Sequence, residues 1–359
     1  MNNIKTDKPI GIREGEELDI LKLQKYLSSN LSESSNIKIS QFPNGFSNLT
    51  YLIKQDKTEY ILRRGPHGAT IKSGHDMHRE FKILTKLKQV YNKVPKTIHY
   101  CEDKSIIGVP FYLMERVKGV ILRANNTSNK LIKPELMAKI ADSFIENFNK
   151  IHSVDIYKTK LNEIGKAEGY NKRQIEGWVK RYDKSKVDDF PLLEKTAKWL
   201  YNNIPNDDLN SLIHNDYKYD NIVLDTNDLS QIRSVLDWEM CTIGNPLMDL
   251  GTTLGYWTNH NDSDLMKKLN FNPSSVIGNP TREELVHKYS LKSNKNINNI
   301  IFYYVYGVFK ISVIVQQIYY RYKLGLTKDK RFEKLDVVIN DLALVASQAI
   351  ERKKLDNLF

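Results

Sequence analysis

Apolar residues recur along the chain in two rhythms. In the first third they come in short runs rich in β-branched and aromatic side chains, and segments 37–41, 48–54 and 58–63 are predicted strands. The last two are separated by a polar turn at Gln55, Asp56 and Lys57. A helix is predicted over 75–91, with Met77, Phe81, Leu84 and Leu87 along one face. The compact apolar run 111–114 predicts a buried strand. Beyond Lys118 and Gly119 the rhythm lengthens. From Pro134, a residue suited to a first helical turn, Met137, Ile140, Ala141, Phe144, Ile145, Phe148 and Ile151 keep the spacing of a helix buried along one stripe. A second helix is predicted over 191–203, then a strand-and-loop insert over 212–239, then mostly helix.

This order predicts an α+β chain of two lobes: a small β-rich lobe over 1–116 and a larger, mainly helical lobe over 117–359, with a boundary near Val117 and a ligand cleft between them. The 359 residues suffice for two such units, and 40% hydrophobic with 27% charged residues is ordinary for a globular protein. The longest apolar stretch, 301–320, is interrupted by Lys310, Gln316 and Gln317, which favours a buried helix over a lipid-facing one. The first ten residues are polar and carry no leader-like apolar segment, and Cys101 and Cys241 are too few for a disulfide framework. A cytoplasmic location is the expectation. The net charge of +11 is spread among acidic residues rather than gathered into a motif, so neither nucleic acid nor membrane is an expected partner; it would favour a phosphate-rich ligand. Nothing in the sequence speaks to oligomeric state.

The chemistry concentrates in residues 211–225. There His214, Asp216 and Asn221 follow the pattern H-x-D-x-x-x-x-N between two apolar runs. Phosphoryl transfer needs a carboxylate to orient the attacking hydroxyl and take its proton, and an amide oxygen a few residues on to hold magnesium. Asp216 and Asn221 suit those roles, and Lys218 could offset charge on the transferring group. Three residues alone match by chance too often. The second element, Asp237 at the end of an apolar run and within Leu236-Asp-Trp-Glu239, supplies the further carboxylate that a metal on a triphosphate requires. His214 is expected to brace the loop, and Asp249 to brace or cap.

With His214-Asn-Asp-Tyr-Lys-Tyr-Asp-Asn221, Leu236-Asp-Trp-Glu239 and Gly244-Asn-Pro-Leu-Met-Asp249, the chain resembles the aminoglycoside phosphotransferase and choline kinase superfamily, of protein-kinase-like fold. Within it the closest likeness is to the kinase-like segment of certain acyl-CoA dehydrogenases. The likeness extends upstream through Asn48-Leu-Thr-Tyr51, Tyr60-Ile-Leu-Arg-Arg64, Arg79-Glu-Phe81 and Phe111-Tyr-Leu-Met-Glu115. It implies ATP and Mg2+ as cofactors. It places Arg63 where the family's phosphate-touching lysine stands and Glu80 as its ion-pair partner. Ser47 and Asn48 fall on the loop over the phosphates, and Met114, Glu115 and Val117 on the hinge that meets adenine. Arg63 for lysine, Asn215 for a glycine, and Glu239 for the glycine of protein kinases are departures; the last argues for a small-molecule acceptor.

The expected activity is therefore transfer of the γ-phosphoryl group of ATP to a small-molecule hydroxyl. Cationic acceptors such as aminoglycosides or amino alcohols would want acids like Asp183, Asp188, Asp189 and Glu239, which lysines surround. The net positive charge tilts the expectation toward a hydroxy-acid or hydroxyacyl-CoA. The alternatives are an aminoglycoside or choline-like kinase, a non-catalytic ATP-binding module, and, on charge alone, a nucleic-acid binder.

Overall fold

The computed structural model describes residues 7–31, 36–43, 48–66, 76–124, 126–207, 209–269, 271–327 and 329–358. Helix α1 (Ile20–Asn30) opens on Asp19, whose carboxylate caps the N–H of Lys22. Strands β1 (Ile37–Gln41), β2 (Leu49–Gln55) and β3 (Thr58–Arg64) follow, then helix α2 (Met77–Leu87), strand β4 (Thr97–Cys101), the short helix α3 (Lys104–Ile107) and strand β5 (Phe111–Glu115). The strands form one antiparallel sheet in the order β1-β2-β3-β5-β4. The alternation along each strand splits the apolar residues between its two faces. Tyr51, Ile53, Leu62 and Leu113 pack outward against Leu23 and Leu27 of α1, while Leu52, Ile61, Tyr112 and Met114 join the core shared with α2 and the helices beyond.

Two differences from the expected elements have plain causes. The helix expected over 75–91 is α2, shorter at both ends: Asp76 caps it by accepting from the N–H of Arg79, and it closes at Lys88. The helix α1, the strand β4 and a helix over 170–184 were not anticipated. Their apolar runs are short, and α1 presents only Leu23 and Leu27 as buried residues.

The second part begins with helices α4 (Pro134–His152), α5 (Tyr170–Lys184) and α6 (Pro191–Asn202). Four short strands make two ribbons: β6 (Ser211–Ile213), β7 (Ile222–Leu224), β8 (Ile232–Val235) and β9 (Thr242–Gly244), with β6 paired to β9 and β7 to β8. Helices α7 (Pro246–Gly255), α8 (Asp264–Lys268), α9 (Arg282–Ser293), α10 (Ile300–Lys323) and α11 (Leu335–Arg352) complete the chain. By length and composition α10 could cross a membrane, but here residues 302–313 are buried on every side and the helix packs on α7 and α11. Its approach to α7 is backbone to backbone: a Cβ on Gly307 would stand 1.9 Å from the carbonyl oxygen of Gly251. The link from the sheet to the helices is equally tight. Val120 exchanges hydrogen bonds with Leu224, and a Cβ on Gly119 would stand 2.2 Å from the Leu224 carbonyl oxygen.

Candidate active site

The loop after β6 is shaped by a buried carboxylate behind it. Asp249, on the first turns of α7, accepts from the backbone N–H of His214 (2.6 Å) and of Asn215 (2.8 Å), and lies 3.2 Å from His152 Nε2. Burial pushes the Asp249 carboxyl up, but the hydrogen bond from His152 and the nearby imidazoles outweigh it and hold it below the ordinary aspartate range. Asn215 is left-handed, with φ of 67°. Asparagine is among the few residues that tolerate this region, which explains how it can stand where the resemblance implied a glycine. Its side-chain amide also donates to the Met240 carbonyl. His214 Nε2 faces the Leu236 carbonyl at 2.9 Å, so that nitrogen carries the proton, and Nδ1 accepts from the Asp216 N–H at 3.3 Å. Both ring nitrogens are thus spent on the loop.

Asp216, Lys218 and Asn221 meet on the loop's open side. Lys218 Nζ stands 2.9 Å from both carboxylate oxygens of Asp216 and over the ring of Tyr256. Burial lowers the pKa of that ammonium, but the charge of Asp216 more than reverses the effect and keeps it protonated. Asn221 donates its amide nitrogen to Oδ2 and to the backbone carbonyl of Asp216, both at 2.8 Å. Its amide oxygen remains for a cation. Leu236 N–H donates to the Asn221 carbonyl, which ties this loop to the turn carrying Asp237. Asp237 is also left-handed, with φ of 66°, and its side chain is a third exposed.

Arg63 reaches that turn from β3. Its Nη2 lies 2.9 Å from Asp237 Oδ1 and 3.2 Å from Glu239 Oε2, and its Nε lies 3.4 Å from Glu80 Oε2. Burial would push the Asp237 carboxyl up; the guanidinium wins and holds it below its usual range. Glu80 is buried behind Arg63 rather than on a cavity wall, and also accepts from the Trp238 N–H at 3.2 Å. Its own carboxyl is raised, burial outweighing Arg63. Asn48 is buried and donates to Glu239. Ser47, expected beside it, lies outside the described residues.

Asn48, Arg63, Asn215, Asp216, Lys218, Asn221, Asp237 and Glu239 line one cavity of about 620 Å³ between the sheet and the helices, while Glu80, His214 and Asp249 stand behind its wall. One end is walled by Phe42, Ile61, Pro95, Met114, Glu115 and Val117, the last three being the expected hinge. The N–H of Glu115 is already given to the Lys96 carbonyl. The other end is walled by Met240, Tyr256, Lys310, Ile314 and Ile318. Asp183, Asp188 and Asp189, weighed as acids for a cationic acceptor, are not on its wall; Asp188 and Asp189 pair with Lys323 and Lys186. Residues that sequence reasoning passed over are Asp220, whose carboxyl burial raises against the pull of Lys218 and Arg123, and Lys310. Lys310 was visible only as an interruption of an apolar run.

The donors suit magnesium shared with a polyphosphate. Asn221 and Asp237 offer hard oxygen ligands, and around Arg63 three carboxylates meet a single guanidinium, leaving excess negative charge. Among the described residues no three His, Cys, Asp or Glu side chains are placed to hold a metal by themselves, so phosphate oxygens and water would have to complete the shell.

The model of the phosphotransferase enzyme family matches residues 38–273. Human acyl-CoA dehydrogenase family member 11 is 33% identical over 319 residues, a stretch covering 86% of this chain and 40% of that protein. This chain thus spans about two fifths of that relative's length. A Ralstonia eutropha structure provisionally assigned as an aminoglycoside phosphotransferase superposes with a TM-score of 0.76 at 26% identity, covering 91% of this chain and 96% of that one. Choline kinase from Cryptosporidium parvum shares the fold, with a TM-score of 0.62 at 12% identity over 93% and 97% of the two chains. The architecture is accordingly the two-lobed α+β fold of kinase-like proteins. Because the match takes in the sheet, the loop bearing Asp216 and Asn221, and the turn bearing Asp237, this chain belongs to the phosphotransferase enzyme family.

Proposed function

We propose that this protein transfers the γ-phosphoryl group of ATP to a hydroxyl of a small molecule carrying an acyl group, either a hydroxy-acid or a hydroxyacyl thioester of coenzyme A. The observation that carries the reading is the convergence of Asp216, Asn221 and Asp237 on one cavity wide enough for a nucleotide and an acceptor. Asp216 orients the acceptor hydroxyl and takes its proton as the oxygen bonds to the γ-phosphorus; the bond from that phosphorus to the β,γ-bridging oxygen breaks, and ADP leaves. Lys218, held by Asp216, lends positive charge beside the transferring group. Magnesium, when held by Asn221 and Asp237, supplies neutralisation of the β- and γ-phosphates. Arg63, steadied by Glu80, faces the same phosphates, and the apolar end near Met114 takes the adenine, with the Glu115 carbonyl and Val117 backbone as its polar contacts. Catalysis here is mostly positioning and charge stabilisation.

Two observations support an acyl acceptor. The far wall carries Lys310 with Ile314, Ile318 and Tyr256, and of the four acids suited to a cationic sugar only Glu239, already held by Arg63 and Asn48, lines the cavity. A relative named as an acyl-CoA dehydrogenase family member contains a segment like this chain. A second reading, a nucleotide-binding module without turnover, is favoured by Arg63 lying directly on Asp237.

The test is ADP release measured against hydroxy-acids, hydroxyacyl-CoAs, aminoglycosides, amino alcohols and sugars. The expected result is acceptor-dependent release with an acyl substrate, reduced by roughly a thousandfold or more in Asp216→Asn. Magnesium-dependent ATP binding with no acceptor raising ADP release would leave the binding module; full turnover in Asp216→Asn would end the mechanism.

A further inference from the structure

Helix α10 places one charged side chain on the cavity wall. Lys310 is 2% exposed, and its Nζ donates to the carbonyl of Asn215 at 2.8 Å. Among the described residues it forms no ion pair, and that hydrogen bond uses one of three N–H donors. The Trp178 ring lies 5.8 Å away. A buried, unpaired ammonium is costly, and a methionine or leucine would fill the same space without the cost. Bracing one loop carbonyl does not account for the remaining donors.

The surroundings indicate what they are for. One and two turns further along the same helix face, Ile314 and Ile318 line the same wall, so the cation stands at the inner end of an apolar stripe. Asn215 immediately precedes Asp216, which sets the ammonium beside the carboxylate assigned to the acceptor hydroxyl. Charged groups face it from each neighbouring element: Asp216 and Lys218 on the loop, Asp249 on α7 and Arg181 on α5.

We propose that Lys310 recognises the acceptor by donating to an acyl oxygen, a carboxylate or a thioester carbonyl, while Ile314 and Ile318 cover its alkyl chain. This rests on the phosphotransferase reading above and names its acceptor contact. Burial lowers the Lys310 pKa to about 8, with Asp216 and Asp249 resisting a further fall. The side chain is therefore a cation below that pH and loses its charge above it.

The test is equilibrium titration of the full chain, loaded with magnesium and a non-hydrolysable ATP analogue, with 3-hydroxyoctanoate, its coenzyme A thioester, and octane-1,3-diol. At pH 7 the acid or the thioester should bind about tenfold or more tighter than the diol, and whichever binds tighter identifies the source of the acyl oxygen. In Lys310→Met the three probes should come within about twofold of one another while nucleotide affinity, the measure of a folded site, is retained. Should that variant not fold, the wild type alone decides. Its preference for the acid over the diol should fall between pH 7 and pH 9, approaching roughly tenfold per unit above pH 8. Equal binding of the diol at pH 7, or an undiminished preference in a folded Lys310→Met, overturns the role of Lys310. Acyl preference without any phosphoryl transfer would instead overturn the enzymatic reading and leave the Lys310 contact standing.

Discussion

At the scale of single residues, the site is organised by charges that are not free to move. Arg63 is the clearest case: its guanidinium is 10% exposed and answers three carboxylates, of which Glu80 is 2% exposed. Removing one partner of a buried pair strands the other, which typically costs about 3–5 kcal/mol, more than the pair itself contributes. Arg63→Ala should therefore lose stability on that order in urea denaturation, since Glu80 would remain buried with no cation. Arg63→Lys should recover part of the stability but raise the KM for ATP about tenfold, because a point charge cannot span Asp237, Glu239 and Glu80 as a planar fork does. A stability change below about 1 kcal/mol in Arg63→Ala would show that Glu80 is neutral in the folded protein. The sequence offered Arg63 and Glu80 as partners by resemblance. It gave no sign that Arg63 would rest on Asp237, because the residues are 174 positions apart and only the fold joins them.

Among the elements, the crossing of α7 and α10 has the most consequence, because α7 carries Asp249 behind the loop and α10 carries Lys310 in front of it. The two helices touch through Gly251 and Gly307, and an added methyl at either would collide with backbone, which cannot rotate away as a side chain can. Gly307→Ala should force the helices apart and cost about 3 kcal/mol, at the upper end for overpacking. It should also weaken acceptor binding more than nucleotide binding, since the end of the cavity proposed for the nucleotide is lined from β3, β5 and residues 115–117. Unfolding free energy and the two KM values check this; an unchanged variant would mean that the crossing has slack. The hydrophobic rhythm correctly announced α4, α6 and the buried α10, whose apolar residues are many and regular. It missed the polar α5, and also α1 and β4, which present few buried residues and take their places from the sheet, α1 covering it and β4 closing one edge.

For the molecule as a whole, the inner face of the sheet and the helices share one continuous core, and the cavity lies along that junction. A ligand touching both sides stabilises the folded state by mass action, about 2.7 kcal/mol at a hundredfold excess over Kd. Thermal unfolding of the wild type should thus rise with ATP far more when magnesium is present than when it is chelated, and Asp237→Ala should lose most of that difference. If chelation leaves the ATP-induced shift unaltered, Asp237 and Asn221 are not metal ligands. The chain by itself specified the strand-rich and helix-rich halves, through the change of hydrophobic period, and it marked Asp216, Asn221 and Asp237, because that chemistry uses fixed residue types at short spacing within one loop and one ribbon. Tertiary structure alone decided that Asn215 and Asp237 are left-handed, that Asp249 and His214 spend their hydrogen bonds on the loop, and that Lys310 joins the cavity wall. Those properties depend on which atoms are neighbours after folding, and a neighbour a hundred residues away leaves no local pattern to be read.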